Sequence, residues 1–163
     1  MLVSGSCDCG RVHFSCESDG PAPFMHCYCS ICRKTGGGGG YIINTLARAE
    51  SLEVEGREYV KIYRATLTED DGSTRESRHE RHFCGMCGSH LWAFNDRWPE
   101  LLHPVATALD TGFPAPPTFV NIFLRSKPAW VDAQEDEAER NFQTYPDEGL
   151  EEWHRRHGLY EGT

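Results

Sequence analysis

Short stretches in which apolar and polar residues alternate recur along the chain, and this period of two predicts β-strands. Residues 11–17 are the clearest case, because their apolar members Val12, Phe14 and Cys16 fall on one face. Cys16 is therefore predicted to be a small core residue and not a metal ligand. Further strands are predicted at residues 41–46, 52–54, 59–64, 77–83, 89–94 and 118–124, with 105–109 as a candidate inside a proline-rich stretch.

One helix is predicted, at about residues 148–157. Asp147 is suited to the N-cap, acidic residues follow it in the first turn, and Gly158 stands where a C′ glycine is expected. Leu150 and Trp153 share one face of this helix, so the helix is predicted to dock on the body through them. Together these elements predict a mainly β protein, built from small antiparallel sheets with one short C-terminal helix.

Length and charge indicate how many domains the protein has and which partners are excluded. The length of 163 residues suits a single domain, predicted to span residues 1–163. The net charge of −9 is concentrated in residues 132–152, which hold nine acidic residues and one basic residue, Arg140. We therefore interpret residues 131–163 as an acidic, solvated C-terminal segment that carries the helix. The remaining body is near neutral and lacks a basic stripe, which argues against nucleic acid or a membrane surface as a partner.

The N-terminal residues and the length of the apolar runs indicate where in the cell the protein is expected. No apolar run approaches the roughly 18 residues that would suggest a membrane span. The first five residues, MLVSG, show neither the basic region nor the apolar region of a signal peptide. A cytoplasmic location, with reduced thiols, is therefore expected. Exposed sheet edges would also allow a homodimer.

The eight cysteines are the main chemical feature of the sequence. Seven of them form tight groups with the spacing of chelating ligands, whereas neighbours so close rarely form disulfides without strain. The densest group is the cysteine triplet, Cys27, Cys29 and Cys32. The others are the pairs Cys7–Cys9 and Cys84–Cys87, which we interpret together as a four-cysteine cluster.

Counting ligands predicts two zinc sites of different kinds. The four cysteines of the two pairs can close a tetrahedral structural site that clips the N-terminus to the middle of the chain. The triplet supplies three ligands and leaves the fourth position of a second zinc open, unless His26 or His90 fills it. Three thiolates make zinc a poor Lewis acid for water, so a small thiol is the more suitable fourth ligand.

Residues just after the triplet are candidate walls of a substrate pocket. Arg33 and Lys34 are predicted to offset the negative charge of the triplet or to bind substrate carboxylates, although they could also be ordinary surface bases. The five glycines at 36–40 either let backbone approach a ligand closely or form a flexible connector.

Three motifs in order resemble a known family. They are G-x-C-x-C-G-x-V-x-F from Gly5, H-C-x-C-S-x-C-R-K from His26, and F-C-x-x-C-G-S-x-L from Phe83. They are similar to the glutathione-dependent formaldehyde-activating enzyme family, whose domain is shared with the centromere protein V group. Residues 127–131 and 145–146 also look similar, so the resemblance covers about residues 3–160.

The resemblance implies a β-tent fold akin to the Mss4-like group. It also implies structural zinc on Cys7, Cys9, Cys84 and Cys87, and an open catalytic zinc on Cys27, Cys29 and Cys32. The family activity joins glutathione to formaldehyde, giving S-hydroxymethylglutathione, a reaction of the carbon–sulfur lyase class. A zinc enzyme acting on a small thiol and a small aldehyde is thus the leading hypothesis. The alternatives are a non-catalytic zinc module for protein contacts and, ranked lowest, a chromatin-binding protein.

Overall fold

The computed structural model describes residues 1–20, 24–36, 38–111, 114–115, 119–133, 140–156 and 158. Short β-strands make up most of the regular structure in these ranges, which confirms the mainly β class. The strands are β1 Leu2–Ser6, β2 His13–Glu17, β3 Phe24–Cys27, β4 Ile42–Asn44, β5 Ala47–Arg48, β6 Glu53–Glu55, β7 Val60–Thr68, β8 Thr74–Cys84, β9 His90–Asn95, β10 Leu101–Pro104 and β11 Phe119–Ile122. The α-helices are α1 Ser30–Gly36 and α2 Leu150–Arg156. No helix in the described part of the chain is long and apolar enough to cross a membrane.

Three small sheets are formed by these strands. Their strand orders are β1-β2-β6, β5-β10-β9-β8-β7 and β11-β3-β4. Neighbouring strands are antiparallel except for β11 and β3, which are parallel. The helix α1 connects β3 to β4 and carries Cys32 toward the five-stranded sheet.

The alternation in residues 11–17 is confirmed as a core-facing pattern. Val12, Phe14 and Cys16 are all buried in the main hydrophobic cluster, so Cys16 is a core residue as predicted. The ring of Phe14 also lies 5.2 Å from that of Trp92 on β9, which joins the first sheet to the five-stranded one.

Two parts of the secondary-structure prediction need correction. Residues 105–109 do not form a strand, because the chain turns into a 3₁₀ helix at Ala106–Ala108, with the Ala108 amide donating to the Val105 carbonyl at 2.9 Å. The strand in the proline-rich stretch is β10, which ends at Pro104. Helix α1 was also not predicted, because cysteines and glycines dominate its surroundings.

The C-terminal helix is confirmed, with a later start than predicted. It begins at Leu150, so Asp147 does not occupy its N-cap position. Trp153 is buried in the main core cluster, so the helix docks on the body through this residue. Gly158 has a φ of +66°, as expected for a C′ glycine. The side chain of Leu150 and residues 134–139, 157 and 159–163 of the predicted acidic segment lie outside the described residues.

The end of the glycine run is packed, which offers a test of its structural role. Gly40 has a φ of +88°, and a Cβ built on it would lie 2.3 Å from Cγ2 of Val131. We expect Gly40→Ala to lower the free energy of unfolding by about 1–3 kcal/mol, because alanine meets both backbone strain and a clash there. Chemical denaturation measures this change. Gly38→Ala is the matched control, since nothing lies within 4 Å of its Cβ position, and equal effects of the two variants would contradict the account.

Candidate metal centres and the surrounding site

The four-cysteine cluster is assembled from two loops. Cys7 and Cys9 lie between β1 and β2, and Cys84 and Cys87 lie at the turn between β8 and β9. The four Sγ atoms all lie within 4.8 Å of one another. Cys7 and Cys84 are buried, whereas the other two cysteines are exposed. The cluster therefore joins the N-terminal sheet to the five-stranded sheet at one point.

Backbone amides of the same loops point at the sulfurs. The Val12 amide donates to Sγ of Cys7 at 3.2 Å, and the Met86 amide donates to Sγ of Cys84 at 3.4 Å. The loops also contact each other, since the Asp8 amide donates to Oγ of Ser89 at 3.1 Å. These hydrogen bonds orient the sulfurs of Cys7 and Cys84 and hold the two loops together.

The sulfur geometry fits a tetrahedral metal. Zinc–sulfur bonds of about 2.3 Å in a tetrahedron place sulfurs roughly 3.8 Å apart. The Sγ atoms of Cys7 and Cys9 are 3.5 Å apart, and those of Cys9 and Cys84 are 3.7 Å apart. The four sulfurs can therefore hold a metal ion such as zinc with little rearrangement.

The cysteine triplet lies at the junction of β3 and α1. Cys27 is the last residue of β3, Cys29 precedes the first residue of α1, and Cys32 lies in the first turn of that helix. Their Sγ atoms all lie within 4.8 Å of one another. Cys29 acts as the helix N-cap, because its Sγ accepts the Cys32 amide at 3.3 Å. Helix formation therefore brings together three thiols that the sequence only places near each other.

Charge within the triplet is shared unequally. Hydrogen bonds from the thiols of Cys27 and Cys32, followed by backbone amide donors, lower the pKa of Cys29 far below the ordinary thiol value. Hydrogen bonding with Cys29 and Cys32 and burial raise the pKa of Cys27 well above it. A negative charge on the triplet thus resides first on the thiol that caps α1, which is also the least buried of the three.

The two histidines considered as a fourth ligand, His26 and His90, do not join the triplet. Among the described residues, the group of possible metal ligands around it consists of the three cysteines alone. The ring of His26 is stacked between those of Tyr41 and Phe119, at centroid distances of 4.8 and 4.7 Å. His90 lies against the far end of α1, where a Cβ on Gly36 would be 3.1 Å from its Nδ1. The triplet therefore keeps three protein ligands in this structure.

Arg33 and Lys34 lie on α1, directly after Cys32. Lys34 is exposed, and Arg33 is half-buried. The Nε of Arg33 is buried and has no hydrogen-bond partner among the described residues. Both residues thus lie on the helix that carries Cys32, and their role toward the triplet stays a prediction.

Arg81 is buried, although it lies in a charge-rich stretch of the β7–β8 hairpin, a composition that usually indicates solvated side chains. It is only 4% exposed, and its Nη2 donates to Sγ of Cys32 at 3.7 Å. Around it on the five-stranded sheet lie three more histidines, at positions 79, 90 and 103. Ser77, His79 and Arg81 alternate along β8 and share its inward face. The charged residues between them hid this pattern in the sequence.

An aromatic surface lies next to the triplet. Phe123 follows Ile122, which pairs with Cys27, and its ring meets that of Tyr145 edge-on at 4.6 Å. Phe123 also has a left-handed backbone conformation, with φ of 61°. Tyr145 is 57% exposed, and partial burial of its phenol, followed by the charges of the three triplet cysteines, raises its pKa. The phenol therefore lies within the electrostatic range of the triplet.

A polar groove of about 490 Å³ lies beside the four-cysteine cluster and reaches the C-terminal end of α1. It is lined by Gly36 and His90 at the end of the helix and by Cys7 near the four-cysteine cluster. Ser6, Asp8, Gly88, Ser89, Thr107, Ala108 and Asp110 complete the lining. Its size is typical of sites for small molecules.

Comparison with known proteins agrees with this arrangement. The family model for the glutathione-dependent formaldehyde-activating enzyme matches residues 2–126. A protein of Halomonas elongata, provisionally named as a glutathione-dependent formaldehyde-activating enzyme, is 53% identical over 162 residues, covering 99% of this chain and 100% of that protein. A Rhodobacter sphaeroides crystal structure shares the fold, with a TM-score of 0.52 at 24% identity, over 72% of this chain and 99% of that one. The chain therefore belongs to the glutathione-dependent formaldehyde-activating enzyme family.

Proposed function

We propose that this protein is a zinc-dependent enzyme of the carbon–sulfur lyase class that adds a small thiol, of the glutathione type, to a small aldehyde such as formaldehyde. The observation that carries the proposal is the cysteine triplet, which brings three sulfurs together without a fourth protein ligand among the described residues. Membership of the family supports the choice of substrates.

The reaction is a simple addition. The thiol sulfur forms a bond to the aldehyde carbon, the π electrons of the C=O bond move to oxygen, and that oxygen takes up the proton that the thiol releases. A zinc ion held by Cys27, Cys29 and Cys32 would supply a soft electrophile that favours the nucleophilic, deprotonated form of the thiol. No further general base is required, because solvent can carry the proton.

The chain's own residues would position the thiol. A tripeptide thiol carries two carboxylates, and Arg33 and Lys34 place two cations on the helix that holds Cys32. Arginine binds carboxylates with paired hydrogen bonds. The Nε–H of Arg33 has no hydrogen-bond partner among the described residues.

The four-cysteine cluster is proposed to hold the second zinc of the chain in a purely structural role. Its position between the N-terminal sheet and the β8–β9 turn supports this assignment. A metal there would fix two segments that are far apart in sequence, and its binding energy would add to folding stability. This arrangement supports treating residues 1–163 as one zinc-braced domain.

The activity can be tested by NMR exchange between formaldehyde and glutathione. We expect catalytic amounts of the purified protein to broaden the resonances of S-hydroxymethylglutathione, because enzyme-catalysed exchange shortens their lifetimes. Protein stripped of metal by a chelator should lose this effect, and added zinc should restore it. Exchange no faster than in buffer would contradict the proposal and would favour a non-catalytic zinc module.

A further inference from the structure

Arg81 is an unusual buried cation. It lies in the middle of β8 and is 4% exposed, whereas its neighbour Arg78 on the same strand has a side chain that is 70% exposed. Its Nη1 donates to the carbonyl of His79 at 3.3 Å and its Nη2 to Sγ of Cys32 at 3.7 Å, while Nε has no partner among the described residues. A buried guanidinium usually requires a negatively charged partner.

Carboxylates do not provide that partner. In the part of the chain that the structure describes, no acidic side chain lies within ion-pairing distance of Arg81. Its neighbour Glu80 pairs with Arg64 and contacts His82 on the opposite face of the strand. Among the described residues, the potential negative charge that Arg81 contacts is therefore that of the triplet, through Sγ of Cys32.

The residues beside Arg81 on β9 and β10 carry no fixed charge. Arg81, Ala93 and His103 lie side by side on β8, β9 and β10, and the small Ala93 leaves space between the two longer side chains. Burial, followed by the positive charge of Arg81, lowers the pKa of His79 to about 3 and that of His90 to about 4. Burial also lowers the pKa of His103. These histidines are neutral near pH 7, so Arg81 supplies the positive charge of this layer.

We propose that Arg81 is a positioning residue that acts as the counter-cation of the cysteine triplet and holds the Cys32 sulfur in its ligating orientation. Three thiolates around a divalent ion carry one excess negative charge, which Arg81 neutralises in a buried environment where solvent cannot. A metal binds Cys32 as a thiolate, and a fixed cation in contact with that sulfur stabilises the thiolate, so Arg81 strengthens metal binding. The inference uses the triplet as the metal site of the proposed function, but it concerns metal affinity and not turnover.

Retention of zinc by the folded protein tests this role directly. Native protein is incubated with increasing concentrations of a chelator, and the zinc ions that each chain keeps are counted by mass spectrometry under native conditions. We expect Arg81→Met to weaken binding at the triplet by about 10–100-fold, as is common when an outer-shell partner of a metal ligand is lost. Binding at the four-cysteine cluster should be unchanged. Arg78→Met, on the same strand but exposed, is the matched control and should bind both ions as the wild type does.

Conservative variants separate charge from packing. Arg81→Lys keeps the charge and should lose less affinity than Arg81→Met, whereas equal losses in the two would overturn a role for charge. If Arg81→Met does not fold, Arg81→Gln, which keeps hydrogen-bond donors, replaces it in the comparison with Arg81→Lys. Wild-type affinity in the uncharged variant would overturn the role of Arg81 alone, and failure of the wild type to bind a second ion would overturn the proposed function as well.

Discussion

Cys84→Ser is expected to unfold the protein. Cys84 is fully buried, its sulfur is 3.7 Å from that of Cys9, and it accepts the Met86 amide. Serine is a poor zinc ligand and would leave this part of the core with a buried hydroxyl. Structural zinc contributes on the order of 10–16 kcal/mol in small zinc domains, comparable to the roughly 5–15 kcal/mol of net stability of a whole domain. Circular dichroism and thermal unfolding measure the loss.

Cys16→Ala is the control for burial without metal binding. Cys16 is as buried as Cys84, but it belongs to neither group of cysteines. We expect it to lower the free energy of unfolding by about 1 kcal/mol, as is usual for a small change in a core. A Cys84→Ser protein that unfolds no more easily than Cys16→Ala would show that the four-cysteine cluster does not brace the fold.

The opposite pattern is expected for Cys29→Ser, which should lose the activity and keep the fold. Cys29 caps α1 through its Sγ, and serine is among the preferred N-cap residues, so the helix should survive the change. Its unfolding free energy should stay within about 1 kcal/mol of the wild type. Exchange of formaldehyde with glutathione should fall by more than about 100-fold, because even the loss of an outer-shell partner commonly costs 10–100-fold.

The two serine variants together distinguish the two sites. Loss of fold in Cys84→Ser and loss of activity in Cys29→Ser would match the proposed structural and catalytic sites. If Cys29→Ser unfolded and Cys84→Ser remained folded but inactive, the assignments would be reversed. Full activity in Cys29→Ser would remove the triplet from the mechanism.

The cysteine groups could be predicted from the sequence because their information is local. Tight spacing within each group identified the ligands, and the strand pattern around Cys16 removed the eighth cysteine. The structure brings each set of sulfurs within 4.8 Å. What spacing could not show is that Cys29 caps a helix, since a helix of only seven residues among cysteines and glycines has a weak sequence signal.

Arg81 shows where sequence reasoning fails. The run from Arg75 to His82 contains so many charged residues that each of them suggests a solvated hairpin. The strand lies between β7 and β9, however, and α1 covers Arg81 on one face. The element that packs against a strand decides which of its charged side chains is buried. That contact cannot be read from the sequence of the strand itself.

The same limit explains the missed strands. β3 covers Phe24–Cys27 and does not alternate in burial, because three of its residues are half-buried and Cys27 is buried. Its place is fixed by pairing with β4 on one side and β11 on the other. Those partners are distant in sequence, so a local pattern cannot predict the strand.

The most direct test of the central claim is the number of zinc ions bound per chain. Native protein purified without chelator is analysed by mass spectrometry under native conditions, beside the Cys29→Ser variant. We predict two zinc ions in the wild type and one in the variant, because the four-cysteine cluster keeps its ion when the triplet is broken. A wild-type protein with a single zinc ion, retained in Cys29→Ser, would contradict the claim that the triplet is a metal site.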